Sequence, residues 1–169
     1  MIKTAVLTIS DRSSQGLRAD LSGPALVERV TEMGGQVVFT QILPDDLSLI
    51  RETLLKLVEI DSVDLILTTG GTGFSPRDIT PEATLSVLER NAPGLAELMR
   101  AESLKTNIHA SLSRGVSGIR KNTLIVNLPG NPKAAVENFN FISAVLPHAL
   151  SLLQSDPDAE AGHLIHSGG

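Results

Sequence analysis

Hydrophobic residues in this chain fall into short continuous runs that alternate with stripes of helical period. Thr4 to Ile9 is a continuous, β-branched-rich run ended by the polar cluster Ser10-Asp11-Arg12-Ser13-Ser14, which predicts a buried strand. Ser22-Gly23-Pro24 then opens a predicted helix, with Ser22 as its cap and Pro24 in its first turn. Leu26, Val27, Val30 and Met33 line one side of it, and Gly34-Gly35 stops it. Gln36 to Leu43 predicts a second strand, closed by Pro44-Asp45-Asp46. Apolar positions 47, 50, 54, 57 and 58 form a helical stripe that either Asp45 or Asp46 can cap. Val63 to Leu67 predicts a third buried strand, running straight into Thr68-Thr69-Gly70-Gly71-Thr72-Gly73.

Beyond that loop, Thr80-Pro81-Glu82-Ala83 predicts a helix capped by Thr80 with Pro81 at its first position. Pro93-Gly94 interrupts the pattern, and Leu95, Leu98, Met99 and Leu104 mark another amphipathic helix. Thr123 to Leu128 predicts a fourth strand, followed by Pro129-Gly130-Asn131-Pro132 and a long helix from about Lys133 to Gln154 that Pro147 should kink or split. Residues 1–154 are expected to form a single domain, and the small, acidic, Gly-ended stretch 155–169 a flexible tail. Strands alternating with helices predict βαβ units, hence an α/β fold: a three-layer α/β/α sandwich with a mainly parallel sheet. Ligands bind such sheets at the carboxyl ends of the strands. Those ends carry Ser10-Asp11, Pro44-Asp45-Asp46, Thr69 to Asp78 and Asn127 to Lys133, so polar loops converge on one rim.

Composition narrows the chemistry. The chain has 169 residues, 14 Lys+Arg against 19 Asp+Glu, four Phe, and no Cys, Trp or Tyr. That length suits one domain with a core able to fold without disulfides or zinc. Without cysteine there is no thiolate, iron–sulfur or disulfide chemistry, which fits a reducing, cytoplasmic setting. A net charge of −5 argues against nucleic acid as a partner, and the scarcity of aromatics argues against single-strand stacking platforms. No run approaches the ~18 apolar residues of a membrane span, and the apolar N-terminal run is too short for a signal sequence. An anionic substrate must therefore be held locally, by backbone N–H groups and a few cations.

Gly70-Gly71-Thr72-Gly73 after a buried strand offers a backbone nest for phosphate oxygens, or simply a tight strand-to-helix turn. It is neither a Walker A loop nor a dinucleotide fingerprint, since neither spacing is present. The sequel Phe74-Ser75-Pro76-Arg77-Asp78 brings a guanidinium and a carboxylate where phosphate and a divalent cation want partners. Asp45 and Asp78, on adjacent rims, suit Mg²⁺, which uses one or two carboxylates plus substrate phosphates. Leu128-Pro129-Gly130-Asn131-Pro132-Lys133 is a rigid turn that presents a helix N-terminus and a lysine to an anion, or only a turn with a surface lysine. His109, His148, His163 and His166 lack metal-ligand spacing, and Ser10, Ser13 and Ser75 lack a nucleophile elbow. Arg114, Arg120 and Lys121, near the fourth strand, face either substrate or water, and surface charge is the favoured reading.

The run from Thr68 to Thr84, TTGGTGFSPRDITPEAT, closely resembles the signature of the MoaB/Mog family of molybdenum cofactor biosynthesis proteins. Leu128 to Lys133 resembles that family's second signature, and Ser10-Asp11, Ser22-Gly23-Pro24 and Pro44-Asp45 match as well. The likeness covers about residues 3 to 153. It implies the molybdopterin-binding fold and Mg-ATP-dependent adenylylation of molybdopterin, giving adenylylated molybdopterin and pyrophosphate. By the same resemblance Asp45 and Asp78 hold Mg²⁺ and serve catalysis, Gly70, Gly71, Thr72 and Gly73 cradle the nucleotide phosphates, and Ser10 and Asp11 lie on the nucleotide side. Ser75, Pro129, Gly130, Asn131, Pro132 and Lys133 lie along the pterin substrate. A homotrimer is implied, with a molybdenum insertion protein as a further partner. The alternative within the family is a MoaB-type carrier or assembly protein that binds molybdopterin without adenylylating it. The related insertion and CinA-type proteins are much longer chains.

Overall fold

Strand β1 (Lys3–Ile9) is buried along nearly its whole length because it lies inside the sheet, flanked on either side by parallel neighbours. We describe the fold from a computed structural model over residues 1–60 and 63–155; of the tail expected over 155–169, all but its first residue lies outside the described residues. After β1 come the single turn α1 (Asp11–Ser14), α2 (Ser22–Glu32), β2 (Gln36–Leu43) and α3 (Leu47–Val58). β3 (Leu65–Thr69), α4 (Thr80–Leu85), β4 (Arg90–Asn91) and α5 (Pro93–Leu104) follow. A 3-10 turn over Ile108–Leu112 leads to β5 (Ser117–Arg120), β6 (Thr123–Leu128), α6 (Pro132–Ser143) and α7 (Leu146–Leu153). The six strands run in the order β2-β1-β3-β6-β5-β4. The four strands read from the sequence are parallel; β5 and β4 add an antiparallel edge. These two are short and carry Ser, Gly, Arg and Asn, without the apolar run that marks the others.

Alternation along the central strands sorts the core into two layers. Val6, Leu65, Leu67, Val126 and Leu128 face Leu26 and Val30 of α2, Met99 of α5 and Phe139 of α6. Ala5, Leu7, Ile66 and Ile125 face Ile50, Leu54 and Leu57 of α3 and Ala83 of α4. The three-layer sandwich is therefore present, with every parallel strand ending at the same rim.

Helix starts depart from expectation in an instructive way. Ser22 is not the cap of α2; Asp20 Oδ1 accepts the Gly23 N–H at 3.0 Å, because the loop brings Asp20 back over that first turn. Thr80 does not cap α4 either. It is fully buried, and its hydroxyl donates to the Gly70 carbonyl at 2.9 Å. Of the acidic pair before α3, Asp46 is the cap, accepting from Leu49 N at 2.9 Å, which leaves Asp45 free for other work. Pro147 splits the last helix into α6 and α7, since it lacks the N–H needed to continue the ladder.

Candidate active site

The rim is built by stitching the loops that follow β1, β2, β3 and β6. Gly70 N donates to Leu128 O at 3.1 Å and Thr69 Oγ1 to Pro129 O at 2.7 Å, binding the glycine loop to the Pro129-Gly130 turn. Gly70 and Gly71 have φ of +99° and +66°, where a side chain is strained. A Cβ on Gly70 would run into the Ile9 carbonyl, and one on Gly71 would press on Thr80 Oγ1 and lie 2.9 Å from Asp45 Oδ1. The glycines are thus needed for a close approach as well as for a turn.

Asp11 and Asp45 clasp each other at the ends of β1 and β2. Asp45 N donates to Asp11 Oδ1 and Asp11 N to Asp45 Oδ2, each at 3.0 Å. Arg77 closes the clasp from the glycine loop, its Nε and Nη2 reaching Asp11 Oδ2 and Oδ1 at 2.9 and 3.1 Å, and Nη2 also reaching the Asp45 carbonyl. The Arg77 fork holds the Asp11 carboxyl below its ordinary value. Asp45 behaves oppositely: burial foremost, with the charges of Asp11 and Asp78 adding to it, raises its carboxyl above its ordinary value. Its Oδ1 is buried and has no hydrogen-bond partner. Asp78 is held by Gly73 N and Ser75 N, both donating to its Oδ2, at 3.0 and 3.2 Å.

Two pockets open on this rim, and the glycine loop with the Pro129-Gly130 turn forms the wall between them. One, about 190 Å³, is lined by Ser10, Ser13, Arg18, Asp45, Gly71 and Asp78 among others. The other, about 250 Å³, is lined by Thr72, Gly73, Arg100, Ser103, His109 and Asn138 among others. The first holds the carboxylates of Asp20, Asp45 and Asp78 with Arg18, and the second holds Arg100 and His109 with Glu137. Among the described residues no group of three or more His, Asp or Glu forms a metal cluster. A cation in the first pocket would find the carboxylates of Asp45 and Asp78, with its remaining positions open to other oxygens. That donor set fits Mg²⁺, and the partnerless buried oxygen of Asp45 is the place for it.

The expected residues divide accordingly. Asp45, Asp78, Ser10, Gly70, Gly71 and Gly130 meet in the first pocket, and Thr72, Gly73 and Pro129 in the second. Asp11 spends its carboxylate on Arg77 and the Asp45 N–H. Asn131 caps α6, accepting from Ala134 N at 3.1 Å, with Pro132 behind it in the first turn. Ser75 and Lys133 are both exposed, the Lys133 ammonium 3.8 Å from Glu137, and neither lines either of these two pockets.

Arg114 is a correction: it is no surface charge. Its Nε donates to Gly73 O at 2.7 Å and its Nη2 to Asp78 O at 2.8 Å, and its Nη1 pairs with Glu82. Arg100, Arg18 and Asp20 also belong to the pockets. Scattered single residues, they carry no motif of spacing by which to find them.

Residues 5–148 match the family described as the probable molybdopterin binding domain. The chain is 42% identical over 154 residues to the molybdopterin adenylyltransferase of Helicobacter pylori, covering 90% of this chain and 88% of that protein. It is 47% identical over 156 residues to the molybdenum cofactor synthesis protein cinnamon of Drosophila melanogaster, covering 92% of this chain. It spans 26% of cinnamon and 22% of the similar gephyrin of Dictyostelium discoideum, so those relatives are far longer. Among solved structures, the molybdopterin biosynthesis enzyme MoaB of Thermus thermophilus superposes with a TM-score of 0.87 at 45% identity, covering 93% of this chain and 99% of that one. The Mog protein of Mycobacterium ulcerans gives 0.85 at 37% identity, with 90% and 99% covered.

Proposed function

The chain belongs to the molybdopterin-binding domain family, and from that membership we propose that it is a molybdopterin adenylyltransferase acting in molybdenum cofactor biosynthesis. The observation that carries the proposal is a buried, partnerless carboxylate oxygen, Asp45 Oδ1, in a pocket it shares with Asp78. A glycine wall separates that pocket from a second one. Two pockets with a thin backbone partition suit a reaction between two phosphate-bearing substrates.

The carboxylate-lined pocket takes ATP, with Asp45 and Asp78 holding Mg²⁺, and the neighbouring pocket takes molybdopterin. The chemistry a bound Mg²⁺ supplies is neutralisation of charge on the nucleotide phosphates. Arg100 and His109 offer donors for the pterin's terminal phosphate, and the backbone from Gly70 to Gly73 lines both sides of the place where the two phosphates meet. An oxygen of the pterin phosphate forms a bond to the α-phosphorus as the bond to the pyrophosphate oxygen breaks. Pyrophosphate leaves with the electron pair, and adenylylated molybdopterin remains. The attacking phosphate is ionised at neutral pH, so the protein contributes position and charge rather than a base. Ser10 lies on the nucleotide side and Pro129 on the pterin side. Asp11 acts by holding Asp45. Ser75, Asn131, Pro132 and Lys133 flank the pterin entrance.

Residues 1–154 form the working domain, in a homotrimer and in the cytoplasm, with a molybdenum insertion protein receiving the product. Val38, Phe39 and Ile42, exposed on the edge strand β2, support self-association. The lack of cysteine supports a reducing compartment. The reading is tested by incubating the protein with ATP, Mg²⁺ and molybdopterin. Pyrophosphate should appear in step with adenylylated product. Tight pterin binding with no pyrophosphate would overturn it and leave a carrier.

A further inference from the structure

We infer that Arg114 is the positioning residue that sets Asp78 for metal binding and ties that carboxylate to the wall of the second pocket. The inference rests on the reading of Asp78 as an Mg²⁺ holder. Arg114 comes from the segment just before β5, and its predecessors Leu112 and Ser113 line the pocket that contains Arg100. From there it takes three carbonyls of the loop between Thr72 and Asp78. Its backbone N–H donates to Thr72 O at 2.8 Å, its Nε to Gly73 O and its Nη2 to Asp78 O. The guanidinium is about one-third exposed, with Nη1 on Glu82.

The geometry explains what these bonds do. A peptide plane whose carbonyl is fixed on one side has its N–H fixed on the other. Arg114 N holds the Thr72 carbonyl, so the next N–H, that of Gly73, points the opposite way, and it is this N–H that donates to Asp78 Oδ2 at 3.0 Å. The Asp78 carbonyl is meanwhile held by Nη2. Arg114 therefore fixes both ends of Asp78, its main chain directly and its carboxylate through Gly73. Lysine cannot replace this arrangement, because a single ammonium lacks the planar fork that reaches Gly73 O, Asp78 O and Glu82 together. Groups that orient a metal ligand from behind typically change metal affinity about 10–100-fold.

The test uses the intact protein and an ATP analogue with a methylene bridge between the α- and β-phosphates, titrated by calorimetry with and without Mn²⁺. For the wild type, Mn²⁺ should tighten analogue binding. Arg114→Gln should lose about tenfold or more of that tightening, with metal-free analogue binding unchanged. Arg114→Lys should lie between the two and carries the comparison if Arg114→Gln does not fold. Glu82→Gln, which removes only the ion pair, should behave as wild type. In an Asp78→Asn background Arg114→Gln should have no additional effect, as for residues acting through one another. Full Mn²⁺ tightening in Arg114→Gln, an equal loss in Glu82→Gln, or additive losses in the double variant would each overturn the inference. Failure of Mn²⁺ to tighten analogue binding to the wild type overturns the metal reading itself.

Discussion

Asp11 and Asp45 each donate a backbone N–H to the other's carboxylate at 3.0 Å, a reciprocal pair joining the ends of β1 and β2. Two carboxylates this close should repel, and the arrangement separates their fates. Arg77 neutralises Asp11, whereas Asp45 keeps one oxygen on a backbone donor and leaves the other buried and unpaired. The pair is asymmetric by construction: Asp11 is spent on Arg77, and Asp45 keeps an unpaired oxygen.

Asp11→Asn should therefore harm turnover more than stability. Asn keeps a side-chain oxygen for the Asp45 N–H but lacks the charge that fixes Arg77, so Asp45 is less firmly held. We expect kcat to fall about tenfold or more, with a small loss of Tm at pH 7 because the exposed Asp11–Arg77 pair contributes little, measured by pyrophosphate release and calorimetry. The pH dependence has a definite sign. The Asp11 carboxyl is lower in the folded state, through the Arg77 bond first, so its stabilising contribution is complete above the ordinary carboxyl value of about 4 and is lost on acidification below it. Acid unfolding below about pH 4 should accordingly depend less steeply on pH in Asp11→Asn. An unchanged profile would show that the fork contributes nothing in solution.

Asp45→Asn should raise stability while abolishing activity. Ionised Asp45 is disfavoured in the folded chain by burial and by the neighbouring charges of Asp11 and Asp78, so a neutral amide relieves a cost the apo protein bears. A gain of about 1 kcal/mol corresponds to roughly 2–4 °C in Tm for a chain of this size. Mg²⁺ with ATP should stabilise the wild type further and leave Asp45→Asn unmoved. A variant that is less stable than wild type without metal would mean that Asp45 serves the fold.

Gly71→Ala separates pocket closure from backbone strain. Its Cβ would sit against Thr80 Oγ1 and Asp45 Oδ1, at a φ of +66°. Gly16 has a similar φ, +72°, with no atom within 4 Å of its added Cβ. Both substitutions should cost about 1 kcal/mol or more in stability for the left-handed backbone. Only Gly71→Ala should weaken ATP binding, by calorimetry at least tenfold. Equal ATP affinities in the two variants would place the nucleotide elsewhere.

How much of this was readable beforehand depended on whether a feature was local. The parallel strands were legible because each is a continuous apolar run of Val, Ile, Leu and Thr, and Gln36–Leu43 and Thr123–Leu128 agree to the residue. The glycine loop was legible because its residues are contiguous, and Asp45 and Asp78 because each follows a parallel strand, although β1 lies between those two strands, β2 and β3. β4 and β5 were not, since Arg90-Asn91 and Ser117-Gly118-Ile119-Arg120 have no apolar run and pair only because β6 offers an edge. Ser22 and Thr80 obeyed the local rule for caps, yet other partners displaced it: Asp20 takes the Gly23 N–H in the first turn of α2 and the Gly70 carbonyl takes the Thr80 hydroxyl. Arg114 lies 41 residues from Gly73 and 36 from Asp78, distances over which spacing carries no information.

The two-pocket reading makes a last, sharper demand, since each substrate should answer to its own cation. Arg100 lines the pocket assigned to the pterin, its Nη1 donating to Gly115 O at 2.8 Å and to Ser113 O at 3.4 Å, while Arg18 lines the pocket of Asp45 and Asp78. Loss of a charge-assisted contact to phosphate typically costs about 1.5–3 kcal/mol, or roughly 10–100-fold. Arg100→Ala should thus raise the KM for molybdopterin by that factor and leave the KM for ATP within about twofold. Arg18→Ala should raise the KM for ATP, by less because the carboxylate-held Mg²⁺ carries most of the nucleotide's charge. Steady-state kinetics varying each substrate in turn reads both effects. Reversed selectivity would exchange the two pockets, and a parallel rise in both constants would mean that the wall from Gly70 to Gly73 divides no substrates at all.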